Sequence, residues 1–260
     1  MSNSLLALVL LDDPATPDMS AVAKVLRARH PELATEAAEN EEAQQVQANS
    51  PLIRCGNEFV AVMSMPARIP DDPGLWSRAS PSWPQGKAIA ARHRGHLIVS
   101  VLGQKQRSLP AARLTTAVIG ALIATMPQCC AVVWNGKVAR PADLWLDMSS
   151  RSFAPFPDYP STLWVDVLPF RSEGGIGAVT VGLSAFAERE IEFETHRLTL
   201  AALMDKVDGL TDYLIEHGLV VKDGDTFGAN MRERFRVRYK NSQQFDGLPV
   251  LFCDDGSDPE

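Results

Sequence analysis

An α+β fold with mixed or antiparallel sheets and helices on one face is what this sequence predicts, and three observations carry the prediction. Short apolar runs, residues 5–11 (LLALVLL) and 96–103 (HLIVSVLG), stop at turn or polar residues, as strands buried on both faces do. Other segments place apolar residues on one helical stripe, Val22, Val25 and Leu26 in one and Leu114, Val118, Ala121 and Leu122 in another. Asn135-Gly136 is a two-residue hairpin signal between two further strands. The first half therefore reads β-α-β-β-α-β, the order of a ferredoxin-like unit. Similar content beyond it predicts two ferredoxin-like halves, residues 1–150 and 151–260, or one compact domain holding both.

In chain order, the first strand ends at Asp12-Asp13-Pro14, and Asp18 or Ser20 caps a helix that Pro31 stops. Residues 36–48 (EAAENEEAQQVQA) are acidic and poor in large apolar side chains, so they read as solvated helix or connection. Residues 52–54 and 58–65 flank Gly56-Asn57 as a hairpin or bulged strand. Residues 66–86 hold five prolines with Trp76 and Trp83 and read as a long loop. Its tryptophans either fold back onto the core, the favoured reading, or form a partner-binding loop. Ser108 and Pro110 open the second helix and Pro127 ends it.

Between 140 and 161 prolines surround Trp145, Phe156 and Tyr159, a joint between the halves. Residues 163–170 and 178–183 form a hairpin across Glu173-Gly174-Gly175. Leu200, Leu203, Met204, Val207, Leu210 and Leu214 keep helical spacing up to Gly218, a left-handed helix stop.

Composition bounds the chemistry. With 260 residues, 45% of them hydrophobic, the chain can bury a sizeable core. A net charge of -7 disfavours nucleic acid and anionic lipid as partners, since both select basic surfaces. Residues 5–11 are too short to span a bilayer and no basic region precedes them, so neither a signal peptide nor a membrane partner is expected. Cys129 and Cys130 are adjacent, while Cys55 and Cys253 stand alone. That spacing fits neither a disulfide framework nor a zinc site and points to free thiols in a reducing cytoplasm.

His93 and His96 form H-x-x-H, yet positions three apart on a strand face opposite ways, so no metal is assigned. Gly182-Leu183-Ser184 lacks the second glycine of a nucleophile elbow, and neither phosphate-binding glycine fingerprint is present. Glu188, Glu190, Glu192 and Glu194 occupy every second position; so do Arg232, Arg234, Arg236, Arg238 and Lys240, with Phe235, Val237 and Tyr239 between them. As adjacent strands of one sheet these would form a cross-strand charge ladder, with Ile191 and Phe193 on the face that carries Phe235, Val237 and Tyr239. The glutamates could instead hold a cation, or either ladder could be left free for an oppositely charged partner. A helix competes locally, through Ala185, Phe186, Arg189, Glu190 and Phe193.

The GLSAFAEREIEFE stretch, the HLIVSV strand, the tryptophan-bearing proline loop and the DGDTFG turn before the basic residues resemble a bacterial family, DUF4261, a domain of unknown function. Family members usually carry glycine where this chain has Ala187. The resemblance implies a cytoplasmic bacterial protein, with a toxin-immunity or secretion-system accessory role conceivable, and it transfers no catalytic residue.

The expected function is a non-enzymatic soluble protein-interaction module with another protein as partner, such as a basic toxin or secretion component. One alternative is an enzyme acting on an anionic substrate through His96, Glu188 or Glu190 and Arg236. Another is phosphate or nucleic-acid binding by the arginine strand. The binding residues nominated are Trp76, Trp83, His96, Glu188, Glu190, Arg234, Arg236 and Arg238; no catalytic residue, metal or cofactor is assigned.

Overall fold

The computed structural model describes residues 5–37, 51–102, 109–230 and 233–255. It divides into two compact units, Met1–Leu163 and Trp164–Glu260, a boundary later in the chain than position 150. The α+β class holds: both units are built on mostly antiparallel sheets.

In the first unit, β1 (Ala7–Leu11) leads to α1 (Met19–Arg29). Asp18 caps α1 by accepting from the N–H groups of Ser20 and Ala21, and Arg27 and Arg29 sit in its last turn, where the helix dipole favours cations. Strands β2 (Thr35–Ala37), β3 (Leu52–Cys55) and β4 (Glu58–Met65) follow. Most of the stretch expected to be a solvated connection lies outside the described residues, but its start belongs to β2, where Glu36 pairs with Arg54. The unit continues with α2 (Pro73–Ala79), α3 (Gly86–Arg92), β5 (Gly95–Leu102), α4 (Leu109–Thr125), β6 (Cys129–Trp134), β7 (Val138–Pro141) and α5 (Ala142–Met148).

The sheet runs β2-β3-β4-β5-β1-β6-β7. Its central strands β6, β1, β5 and β4 are each antiparallel to their neighbours, with α1 entered after β1 and α4 placed between β5 and β6. That is the split β-α-β arrangement expected of the first half. The β6–β7 turn has positive φ at both Asn135 and Gly136, as its sequence signal requires.

Three expectations for this unit are corrected. Helices cover both faces of the sheet, because its central strands are apolar at successive positions. Leu10, Ala131 and Val133 pack with Leu75, Trp76, Ala79 and Trp83 from α2 and the turn after it. Val9, Val132 and Trp134 point the other way and are equally buried, with Trp134 against Trp145 of α5 at 5.9 Å. The proline-rich stretch 66–86 is also not one long loop. Asp72 caps α2 by accepting from Leu75 N–H, and Pro73 occupies the first helical turn, where a missing N–H costs nothing.

Helix α4 is buried nearly all round rather than along one stripe. Gly120 lets this happen, since a Cβ there would lie 2.0 Å from Ser149 Oγ.

The second unit comprises β8 (Asp166–Ser172), β9 (Gly175–Val181), the single turn α6 (Ser184–Ala187), β10 (Glu190–Thr195), α7 (Leu200–His217), β11 (Thr226–Asn230), β12 (Glu233–Asn241) and β13 (Pro249–Asp254). Thr199 caps α7 and Gly218, at φ 71°, ends it, as the sequence indicates. The sheet order is β11-β12-β13-β10-β9-β8, and β10 runs parallel to β13. This is a hairpin, a helical crossover and a meander, not a second ferredoxin-like half.

Candidate functional site

The second unit's sheet brings the acidic and basic stretches onto one sheet but not onto adjacent strands. Strand β13 lies between β10 and β12, so the direct cross-strand ladder is corrected. The face assignment nevertheless holds. Ile191 pairs with Leu251 and Phe193 with Cys253, which pair in turn with Tyr239 and Val237. Phe193 meets Phe235 at 4.8 Å and Phe227 at 5.8 Å between ring centres, an edge-to-face cluster that fills this side.

On the opposite side lie Glu190, Glu192 and Glu194 of β10, Val250, Phe252 and Asp254 of β13, and Arg236, Arg238 and Lys240 of β12. β13 supplies an apolar spacer between the two signs of charge. Arg238 reaches the one acidic side chain of that strand, Asp254, and Lys240 lies 4.0 Å over the Phe252 ring.

The glutamates are not a uniform acidic surface. Glu190 is fully buried, and each carboxylate oxygen accepts two hydrogen bonds. Oε1 takes the N–H of Gly182 (2.9 Å) and Ser184 (3.2 Å), while Oε2 takes the Thr180 hydroxyl (2.9 Å) and Leu183 N–H (2.9 Å). The Thr180 hydroxyl oxygen in turn accepts the N–H of Ile191 at 2.7 Å. Glu190 is thus the internal anchor of the turn that opens α6, since a buried carboxylate is tolerable only when such donors replace water.

Glu192, also fully buried, accepts from the Ser242 hydroxyl and from Gln243 N–H at 3.1 Å, closing the loop between β12 and β13. Glu194 is half-buried. Burial first, then the Glu192 charge, raises its pKa above the usual carboxylate value. Asp255, just past β13, performs a similar anchoring role: it accepts from Thr195 Oγ1 and His196 N–H, both at 2.8 Å.

Of the nominated residues, Glu190, Arg234, Arg236 and Arg238 share this sheet. Arg234 is exposed, whereas Arg236 and Arg238 are half-buried. Glu188 is in the turn before β10 at φ 61°, the left-handed region, and so stands outside the strand. Arg232 lies outside the described residues.

His96 belongs to the first unit, on β5, where its Nδ1 donates to the Ala67 carbonyl at 2.8 Å. Trp76 and Trp83 are core residues of that unit, 4% and 7% exposed, with their rings edge to face at 6.4 Å. The core reading of the tryptophans is the one their burial supports. A partner cannot reach them without opening the unit.

The outer side of α7 carries a second row of charge that alternation along strands does not reveal. Its inner stripe is Leu203, Val207, Leu210 and Leu214. Asp205, Asp208, Asp212 and Glu216 fall three or four residues apart along the other side, and Asp205, Asp208 and Glu216 are exposed. Partial desolvation of the Asp208 carboxyl against the helix, and then the charges of Asp212 and Asp205, raise its pKa. Tyr213, 41% exposed, flanks the stripe and stacks on His217 at 4.7 Å. The i, i+3, i+7, i+11 acidic spacing was the available signal.

Among the described residues no group of His, Cys, Asp and Glu is arranged to hold a metal ion, and no helix is long and apolar enough to cross a membrane. The four cysteines are free thiols, and burial raises their pKa, to about 11 at Cys55 and about 12 at Cys129 and Cys130.

No curated protein and no solved structure matches the chain. Residues 179–251, from β9 into β13, match the family model of DUF4261, a domain of unknown function; the matched stretch holds the buried glutamate anchors and the acidic helix.

Proposed function

We propose that the chain is a non-enzymatic interaction module of the bacterial cytoplasm, and that the outer side of α7 is its contact surface for a basic protein. A toxin-immunity or secretion-accessory role is the biological form that this reading takes. The observation that carries it is the alignment of Asp205, Asp208, Asp212 and Glu216 on the side of α7 away from its buried stripe. Like charges at this spacing oppose the helix. Desolvation is the larger cause of the raised Asp208 pKa, and the charges of Asp212 and Asp205 add to it; that added repulsion is what an arriving basic surface would relieve.

Tyr213 supplies the aromatic anchor that such contact regions favour. Glu190 and Glu192 support the same assignment from inside, because their carboxylates are committed to holding the loops of the unit.

The test is affinity capture with the native chain and with an Asp205→Lys/Asp208→Lys/Glu216→Lys variant, followed by identification of what each retains. A basic protein retained by the native chain and lost by the variant is the expected result. Equal retention by both, or no retained protein, contradicts the proposal.

A further inference from the structure

We propose that His93 of the first unit is an acid-released clasp on the strap of residues 66–72, which runs from β4 into α2. Both rings hold this strap by its backbone. His96 donates from Nδ1 to the Ala67 carbonyl at 2.8 Å, and two residues on, His93 Nε2 accepts the Ile69 N–H at 2.9 Å. The other nitrogen of His93, Nδ1, faces the Ala90 carbonyl within the same buried corner.

These partners admit one protonation state. A carbonyl oxygen only accepts, so Nδ1 of His93 must carry its proton; an amide N–H only donates, so Nε2 must be bare. A second proton would set N–H against the N–H of Ile69. His93 is 2% exposed, so the imidazolium cannot reach water unless the strap lifts.

The charges around the ring are Arg68 on the strap, His96 on β5 and Asp12 after β1. Arg68 and His96 oppose the added proton. Asp12 favours it, but its carboxylate is engaged by Arg92 at 3.2 Å, and Arg94 is engaged in turn by Asp13 and by the Asp12 carbonyl. Burial, the largest influence, holds the His93 pKa below the ordinary imidazole value.

The strap covers something worth uncovering. Ile69 packs against the cluster of Leu10, Leu75, Trp76 and Trp83. Releasing its N–H loosens one of the residues packed on that cluster, so opening of the strap in acid uncovers part of an apolar aromatic surface.

Hydrogen exchange on the full chain, followed by mass spectrometry from about pH 7.5 to about pH 5 and corrected for intrinsic rates, tests this. The expected result is an opening constant for peptides spanning 66–72 that rises about tenfold per pH unit below the ordinary imidazole value, until the folded His93 pKa is reached. The β1 peptide should stay protected throughout. His93→Gln keeps an acceptor and a donor without titrating, and should hold the strap closed at both ends of the range.

The nitrogen spectrum of the native His93 ring gives an independent check that needs no variant, and should show the Nδ1–H tautomer at neutral pH. Acid-independent exchange of the strap, simultaneous opening of β1, the same acid opening in His93→Gln, or an Nε2–H tautomer would each overturn the clasp.

Discussion

Phe193 and Phe235 meet edge to face at 4.8 Å across a strand that belongs to neither of them. The contact fixes the second unit's sheet, because it ties β10 to β12 over the small Cys253 of β13. Both rings are buried, 0% and 2% exposed. Phe193→Ala should therefore cost about 3–5 kcal/mol in urea unfolding. The double variant with Phe235→Ala should cost measurably less than the sum of the two singles, because the rings touch.

Glu190 yields a sharper test, since its role is to receive donors. Glu190→Ala leaves the N–H groups of Gly182, Leu183 and Ser184 buried without their acceptor and should destabilise the chain by about 3 kcal/mol or more, measured by chemical denaturation. Glu190→Gln keeps one acceptor oxygen but turns an NH₂ toward the remaining donors, so it should also destabilise, by a smaller amount. Were Glu190 a solvated ladder residue, both changes would be close to neutral.

The raised pKa of Glu194 has a defined sign in pH dependence. A carboxyl whose folded pKa exceeds its unfolded value holds its proton more tightly when folded. Its ionisation therefore removes stability as pH rises through the window from the ordinary carboxylate value to the raised one. Glu194→Gln should raise the thermal midpoint at neutral pH, and the gain should vanish at about pH 3, where the native residue is protonated in both states. A gain that persisted unchanged in acid would assign the effect to packing.

Gly120 tests the first unit. Gly120→Ala places a Cβ against Ser149 Oγ, between two buried elements with little room to separate, and should lower the thermal midpoint by several degrees although alanine is the better helix former.

The parts of the fold that were legible in the sequence are those where local chemistry and tertiary context agree. Asn135-Gly136, the Gly218 helix stop, the strand 5–11 buried on both faces and the shared parity of Phe193 with Phe235 all reappear in the structure. Proline density around residues 66–86 points to loop and hides helix α2, although Asp72-Pro73 is a cap followed by a proline at the first helical turn.

The insertion of β13 between the charged strands was not legible, because PVLFCD is an ordinary buried-strand run and strand order depends on how the crossover packs rather than on parity. Alternation showed which glutamates share a face. It could not show that Glu190 and Glu192 are buried, since their partners are backbone N–H groups that carry no sequence signal.

The proposed contact surface implies a trade between stability and binding. Asp208→Asn removes one member of a repelling row, so it should raise the thermal midpoint while weakening partner binding.

The most direct test of the interaction reading is the dissociation constant of the captured basic protein, measured by calorimetry against ionic strength for the native chain and for the Asp205→Lys/Asp208→Lys/Glu216→Lys variant. The account requires tight, salt-weakened binding by the native chain and a loss of about tenfold or more in the variant at low salt. Equal affinity in the two proteins, with no dependence on salt, would contradict it.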